Sequence, residues 1–184
     1  MGKKLLEKIQ DRHCDMTRTT TKRFRVLRNV GMAAPYFPID EPVLCFGSGD
    51  GFEVEIWGRL GFSAIGCEIS TKKRQIAEAH GCRTVGSLDD IERLGRFNIY
   101  SAHTIEHVQD YGIILERLAA VTLSTACIFF PIEPYGSKNP SHLSPVAALD
   151  DVRMDGMRTV VKTERWNDER EGVIIFKRPG EGAL

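Results

Sequence analysis

The stretch Val43-Leu44-Cys45-Phe46-Gly47-Ser48-Gly49-Asp50-Gly51 constrains this chain more than any other. Four apolar residues stop abruptly at three alternating glycines, and the amphipathic segment Phe52–Leu60 follows. A buried strand, a tight turn and a helix N-terminus are written in sequence this way. Glycine has no Cβ and tolerates positive φ, so a turn of this kind lets a ligand come against bare backbone.

Beyond this turn, strand and helix patterns alternate. Val43–Phe46, Ser63–Ile69, Arg83–Val85, Phe97–Ser101 and Ala126–Ile132 read as strands, the last apolar throughout and so buried on both faces. Phe52–Leu60, Lys72–His80 (closed by Gly81), Asp89–Leu94 and Asp110–Ala120 read as helices, the last showing Ile113, Ile114 and Leu118. Pro145–Val152 reads as a further helix, and Met157–Trp166 with Gly172–Lys177 as two strands around the polar turn Asn167–Glu171. Strands alternating with helices imply a parallel sheet covered on both faces, wound by right-handed crossovers. The expected fold class is α/β: a Rossmann-like, doubly wound, mostly parallel seven-stranded sheet with helices on both faces and an antiparallel C-terminal hairpin strand. Upstream, residues 3–13 and a second segment with Val26, Leu27 and Val30 as its stripe read as helices, before Gly31, Pro35, Pro38 and Pro42 break the chain. A single domain over residues 1–184 is expected, with 1–40 a helical cover and 41–178 the core.

A chain of 184 residues needs no disulfide or metal to fold. Its five cysteines are odd in number and show no C-x-x-C spacing, which points to a reduced, cytoplasmic protein without a metal site. His103 and His107 have i,i+4 spacing but no third ligand at a defined distance in sequence. No apolar run approaches the roughly 18 residues of a membrane span, and the N-terminus lacks the apolar run of a secretory signal. Net charge is zero, yet residues 1–30 hold nine Lys/Arg against three Asp/Glu. Such a flank reads first as a solvated helical face, with an electropositive surface for an anionic acceptor as the alternative; nothing in it favours nucleic acid. Lys72-Lys73-Arg74 reads as a solvated helix start.

In a doubly wound sheet, ligands sit beyond the carboxyl ends of the strands. Gly47–Gly51 lies at such an end, and Glu68 closes the second strand 21 residues after Gly47, where an acid can accept hydrogen bonds from ribose hydroxyls. Over residues 40–178 the chain resembles the class I S-adenosylmethionine-dependent methyltransferases. The matching features are the strand leading into G-x-G-x-G, Glu68, the segment Ile105-Glu106-His107-Val108-Gln109-Asp110 after the fourth strand, Cys127-Ile128-Phe129-Phe130-Pro131, and the closing hairpin. Three positions depart from that pattern: Cys45, Ser87 and Asn98 stand where the family usually carries acids.

The resemblance implies S-adenosylmethionine as cofactor, bound by Gly47, Ser48, Gly49, Gly51, Glu68, Ile69, Ser87, Leu88 and His103, with the Ser87 hydroxyl and Leu88 backbone at the adenine. It implies methyl transfer to a small-molecule or sugar acceptor by in-line attack, helped mainly by proximity. A hydroxyl acceptor needs a general base, for which His103 and His142 are the candidates. Glu106 and His107 are expected to fix their own segment, and Tyr135 and Trp166 are candidates to line the acceptor pocket. A weakened or inactive cofactor-binding scaffold is the alternative that Cys45, Ser87 and Asn98 support. A nicotinamide-dependent oxidoreductase fits less well, because position 52 is Phe rather than the third glycine of G-x-G-x-x-G.

Overall fold

The computed structural model describes residues 20–166 and 170–180; the helix expected over residues 3–13 lies outside them. The chain divides into two compact units, Met1–Arg96 and Phe97–Leu184.

The first unit contains α1 (Thr20–Ala33), β1 (Val43–Phe46), α2 (Phe52–Arg59), β2 (Ala64–Cys67), α3 (Thr71–Ala79), β3 (Thr84–Val85) and α4 (Leu88–Leu94). Its strands are all parallel, in the order β3-β2-β1, with Cys45 opposite Gly66 and Gly66 opposite Thr84. All four β1 residues are buried, as a strand covered on both faces requires. Trp57 of α2 is fully buried, stacked on Phe37 and edge-on to Phe62 with centroids 4.9 Å away in both cases, and this fixes α2 in place. Gly81 has φ +78 just beyond α3, the left-handed C-cap its position predicts. Two expectations change. The packed face of α1 is Asn29, Val30 and Ala33, while Leu27 is 45% exposed. Lys73 is buried rather than solvated, and Arg74 donates to the Glu68 carbonyl at 2.7 Å.

The second unit contains β4 (Phe97–Ala102), α5 (Tyr111–Val121), β5 (Thr122–Pro131), β6 (Arg158–Trp166) and β7 (Arg170–Lys177), in the strand order β4-β5-β7-β6. β4 runs parallel to β5, and β7 antiparallel to both β5 and β6, which is the expected closing hairpin. Pro145–Val152 is not a helix. Val146 is buried and bridges Ile132 in parallel, leaving only a 3-10 turn at Leu149–Asp151. On α5 the packed residues are Leu115, Leu118, Ala119 and Val121, and Ile113 is 56% exposed.

Asn98 has a structural task. The β4–β5 register shifts between Phe97 and Ile99, and the Asn98 Oδ1 accepts there from the Thr125 N–H and the Ser124 hydroxyl, both at 2.8 Å. The amide substitutes for ladder bonds that the bulge interrupts. Asn98→Ala would leave these donors stranded in a buried site, with an expected loss of about 2–3 kcal/mol by urea denaturation. Among the described residues, no helix is long and apolar enough to cross a membrane.

Candidate functional site

In the first unit, the loop after β1 holds three glycines at positive φ: Gly47 at +76, Gly49 at +55 and Gly51 at +86. They need glycine for different reasons. A Cβ on Gly49 would meet nothing within 4 Å, so that position is open to a ligand. A Cβ on Gly51 would lie 2.7 Å from the Ala77 Cβ, so this glycine serves the packing of the loop onto α3. The Ser48 side chain also turns inward: a Cβ on Gly66 would be 2.4 Å from its Oγ, which is buried with no hydrogen-bond partner among the described residues.

The loop donors are engaged within the unit. Gly47 and Ser48 N–H donate to the Cys67 carbonyl, at 2.8 and 3.2 Å. Gly51 N–H donates to the Ser48 carbonyl, and Phe52 N–H donates to Asp50. Gly49 N–H donates to Glu68 Oε2 at 3.0 Å, and the other oxygen, Oε1, accepts from Ser70 N–H at 2.8 Å. Glu68, buried at the end of β2, therefore shapes the loop. Each of its oxygens retains further acceptor capacity.

Glu53, one residue into α2, is the group that sequence reasoning missed. An acid in a first turn reads as an ordinary partner of the helix dipole. Here its Oε2 is buried with no hydrogen-bond partner among the described residues. Burial pushes the carboxyl up to about 8; Arg25 opposes the rise, and Asp50 and Glu68 add to it. Burial likewise holds the Cys45 thiol well above its ordinary value, with Glu53 contributing, so the two side chains share one region. Lys22 brings positive charge near Asp50, and burial with Arg25 and Lys73 nearby lowers its own pKa.

Ser87 differs from its expected role. It caps α4: its Oγ accepts from Asp90 N–H at 3.2 Å and donates to Asp90 Oδ2 at 2.7 Å, so its proton is already committed. Leu88 begins α4, where N–H groups have no intrahelical acceptor, and Ile69 is half-buried. Arg74 lies along Gly86, where a Cβ would come 3.3 Å from the guanidinium carbon.

In the second unit, His103 takes the left-handed conformation at φ +53, uncommon for a residue with a Cβ. Its Nε2 lies 2.8 Å from Glu171 Oε1, and Glu171 Oε2 pairs with Arg165 at 2.5 Å. That carboxylate is an acceptor, so His103 Nε2 carries the proton and Nδ1 is the acceptor, 3.8 Å from Glu106 Oε1. His142 is fixed by the loop after β5. Its Nδ1 donates to Glu133 Oε2 at 2.8 Å, and Ser137 holds the other Glu133 oxygen at 2.5 Å. Asn139 Oδ1 accepts from Ser141 N–H and Oγ, so its Nδ2 is the donor to His142 Nε2 at 3.0 Å. His142 thus keeps its basic lone pair on Nε2. His107 donates from Nδ1 to the Ser141 carbonyl at 3.0 Å, which leaves its lone pair on Nε2 as well. Tyr135 is 99% exposed and packs into no pocket wall, and the Trp166 side chain lies outside the described residues.

No protein-family model matches the chain, and no curated protein does. Solved structures do. A SAM-dependent methyltransferase from Anabaena variabilis matches with TM-score 0.74 at 12% identity, over 96% of this chain and 95% of that one. A 1,6-didemethyltoxoflavin-N1-methyltransferase from Burkholderia thailandensis, with 1,6-didemethyltoxoflavin and S-adenosylhomocysteine bound, matches with TM-score 0.73 at 13% identity, over 95% and 87%. A magnesium protoporphyrin IX methyltransferase from Synechocystis with bound SAM matches with TM-score 0.65 at 13% identity, over 85% and 79%. Likeness at these identities shows the fold: α/β, Rossmann-like, seven strands mostly parallel, helices flanking, with the antiparallel hairpin.

Proposed function

We propose that the chain is an S-adenosylmethionine-dependent methyltransferase acting on a small-molecule or sugar acceptor. The observation that carries this is the direction of the loop's hydrogen bonds. Gly47, Ser48, Gly49, Gly51 and Phe52 N–H all donate to acceptors within the unit, so these five loop donors are not turned toward a ligand pyrophosphate. Acidic groups lie at the loop instead: Asp50, Glu68 and the Glu53 carboxyl. Acidic groups at the loop suit a ligand with a cationic centre and hydroxyl donors, and Arg25 and Lys22 beside them can meet its carboxylate. The bound-ligand structures sharing the fold point the same way.

When bound, S-adenosylmethionine supplies an electrophilic methyl on a sulfonium. Glu68 would accept from its ribose hydroxyls, using the lone pairs left beside Gly49 and Ser70 N–H. The Leu88 N–H and the Ile69 side chain would receive adenine, a task the Ser87 hydroxyl cannot share while it caps α4. Glu53 would offer a carboxyl near Cys45, where the resemblance leads one to expect an acid and the chain has none. His142 and His103 are the candidate bases: the His142 lone pair, on Nε2, accepts from Asn139 until the acceptor replaces it, and the His103 lone pair is on Nδ1, with Nε2 donating to Glu171.

The scaffold alternative loses much of its support, because each departure has a local account. Asn98 pins a bulge, Ser87 caps a helix, and Glu53 lies in the region of Cys45. Incubation with methyl-deuterated cofactor and a pool of small hydroxyl and nitrogen-heterocycle acceptors tests the proposal by mass spectrometry. One acceptor should gain the labelled methyl while S-adenosylhomocysteine accumulates in equal amount. Cofactor binding without turnover on any acceptor would favour the scaffold.

A further inference from the structure

The fold gathers three donor groups that the sequence keeps apart. Glu106 and His107 follow β4, and His142 lies 35 residues further on, in the loop after β5. Their donor atoms all lie within 4.8 Å of one another. The two imidazole rings meet edge to face, with centroids 4.8 Å apart. Glu106 is 1% exposed, so this is not a cluster of solvated acids.

The hydrogen bonds behind these groups are those that metal-binding histidines need. Each histidine donates from Nδ1, His107 to the Ser141 carbonyl and His142 to the Glu133 carboxylate, and each keeps its lone pair on Nε2. Such outer partners fix the tautomer and raise the basicity of the coordinating nitrogen. The loop that brings His142 is itself fastened, by Glu133 N–H to the Val146 carbonyl and Ser144 N–H to the Glu106 carbonyl.

We propose that Glu106, His107 and His142 form a binding site for one divalent first-row transition ion, of the zinc, cobalt or manganese kind. Two imidazoles and a carboxylate suit these ions, whereas magnesium and calcium prefer oxygen ligands throughout. At bonds of about 2.1 Å, adjacent ligands stand about 3–3.4 Å apart. Small side-chain rotations from the present separations reach that distance. His142 Nε2 exchanges its bond from Asn139 for the metal. Three protein ligands leave positions for water or an oxygen of the acceptor; a bound ion would acidify a hydroxyl there directly, in place of base catalysis by His142, whose lone pair it would occupy. That use rests on the proposed function; ion binding does not.

The test is titration of untagged full-length protein with Co²⁺, read by visible absorption and calorimetry and repeated with Zn²⁺ in competition. One equivalent should bind with micromolar affinity or tighter, giving d–d bands without thiolate charge transfer, and millimolar Mg²⁺ should not displace it. His107→Gln keeps a donor for Ser141, and its binding should weaken at least tenfold; His142→Ala should do the same, with folding checked by circular dichroism. His80→Ala, at the exposed C-cap of α3, should leave Co²⁺ binding unchanged, which separates this site from adventitious binding by a surface histidine. Absence of stoichiometric binding, thiolate bands, or unaltered affinity in His107→Gln would each overturn the proposal. S-Adenosylmethionine binding measured on the same samples reports independently on the proposed function.

Discussion

Glu53→Gln should abolish a pH dependence of stability worth about 5 kcal/mol. In the folded protein the Glu53 carboxyl keeps its proton to about pH 8, because burial disfavours its charged form; unfolded, it titrates near 4.5. Between these values the native state holds one proton more than the unfolded state, so stability falls as pH rises. The contribution is fully present below about 4.5 and is lost once pH passes about 8, and the interval sets its size. Glutamine has the same shape and no titration. Urea denaturation at pH 5, 7 and 9 should therefore show a wild type that weakens steadily and a variant nearly flat through this group's range, the variant being the more stable at pH 9. Parallel curves for the two proteins would refute a Glu53 carboxyl held protonated by the enclosure of its Oε2.

Glu68→Ala is the second large effect, and it acts on both binding and folding. The carboxylate takes charge-assisted bonds from Gly49 and Ser70 N–H, and its loss leaves two donors facing an apolar gap. A stability loss of about 2–4 kcal/mol is expected. S-Adenosylmethionine affinity should fall by about two orders of magnitude, since the loop loses its shape and the ribose its acceptors. Glu68→Gln separates these contributions. Its carbonyl oxygen can serve one backbone N–H, while its amide, a donor, opposes the other. Stability should recover part of the loss, and affinity less. Wild-type affinity in Glu68→Ala would remove the acid from the cofactor site.

Most strands were legible because a strand buried on both faces is an unbroken apolar run with turn residues at its ends. Val43–Phe46 and the closing hairpin show this directly. Gly81 was legible because one backbone conformation demands glycine. Misreadings arose where tertiary partners choose among equal local patterns. Ile113 and Leu115 both suit a helix face, and only packing decides that Leu115 is buried. Pro145–Val152 carries helix-like residues, but Val146 is taken by Ile132. The glycine loop and Glu68 could be found because one turn and one strand end impose their spacing. Glu53 could not, since nothing in the sequence says a first-turn acid will have one oxygen enclosed. The meeting of His142 with Glu106 and His107 was likewise hidden, because a loop anchored at Val146 determines it. Ser87 and Asn98 stand where the resemblance leads one to expect acids; their hydrogen bonds make them a helix cap and a register pin.

The most direct measurement is calorimetric titration of the wild-type protein with S-adenosylmethionine at pH 7, in two buffers of different ionisation enthalpy, beside the same titration with NAD⁺. One equivalent of S-adenosylmethionine should bind and release close to one proton as the cation draws Glu53 into its ionised form. Glu53→Gln should bind without that release, and NAD⁺ should give no saturable heat. Saturable binding of NAD⁺ with none of S-adenosylmethionine would contradict the account at its root.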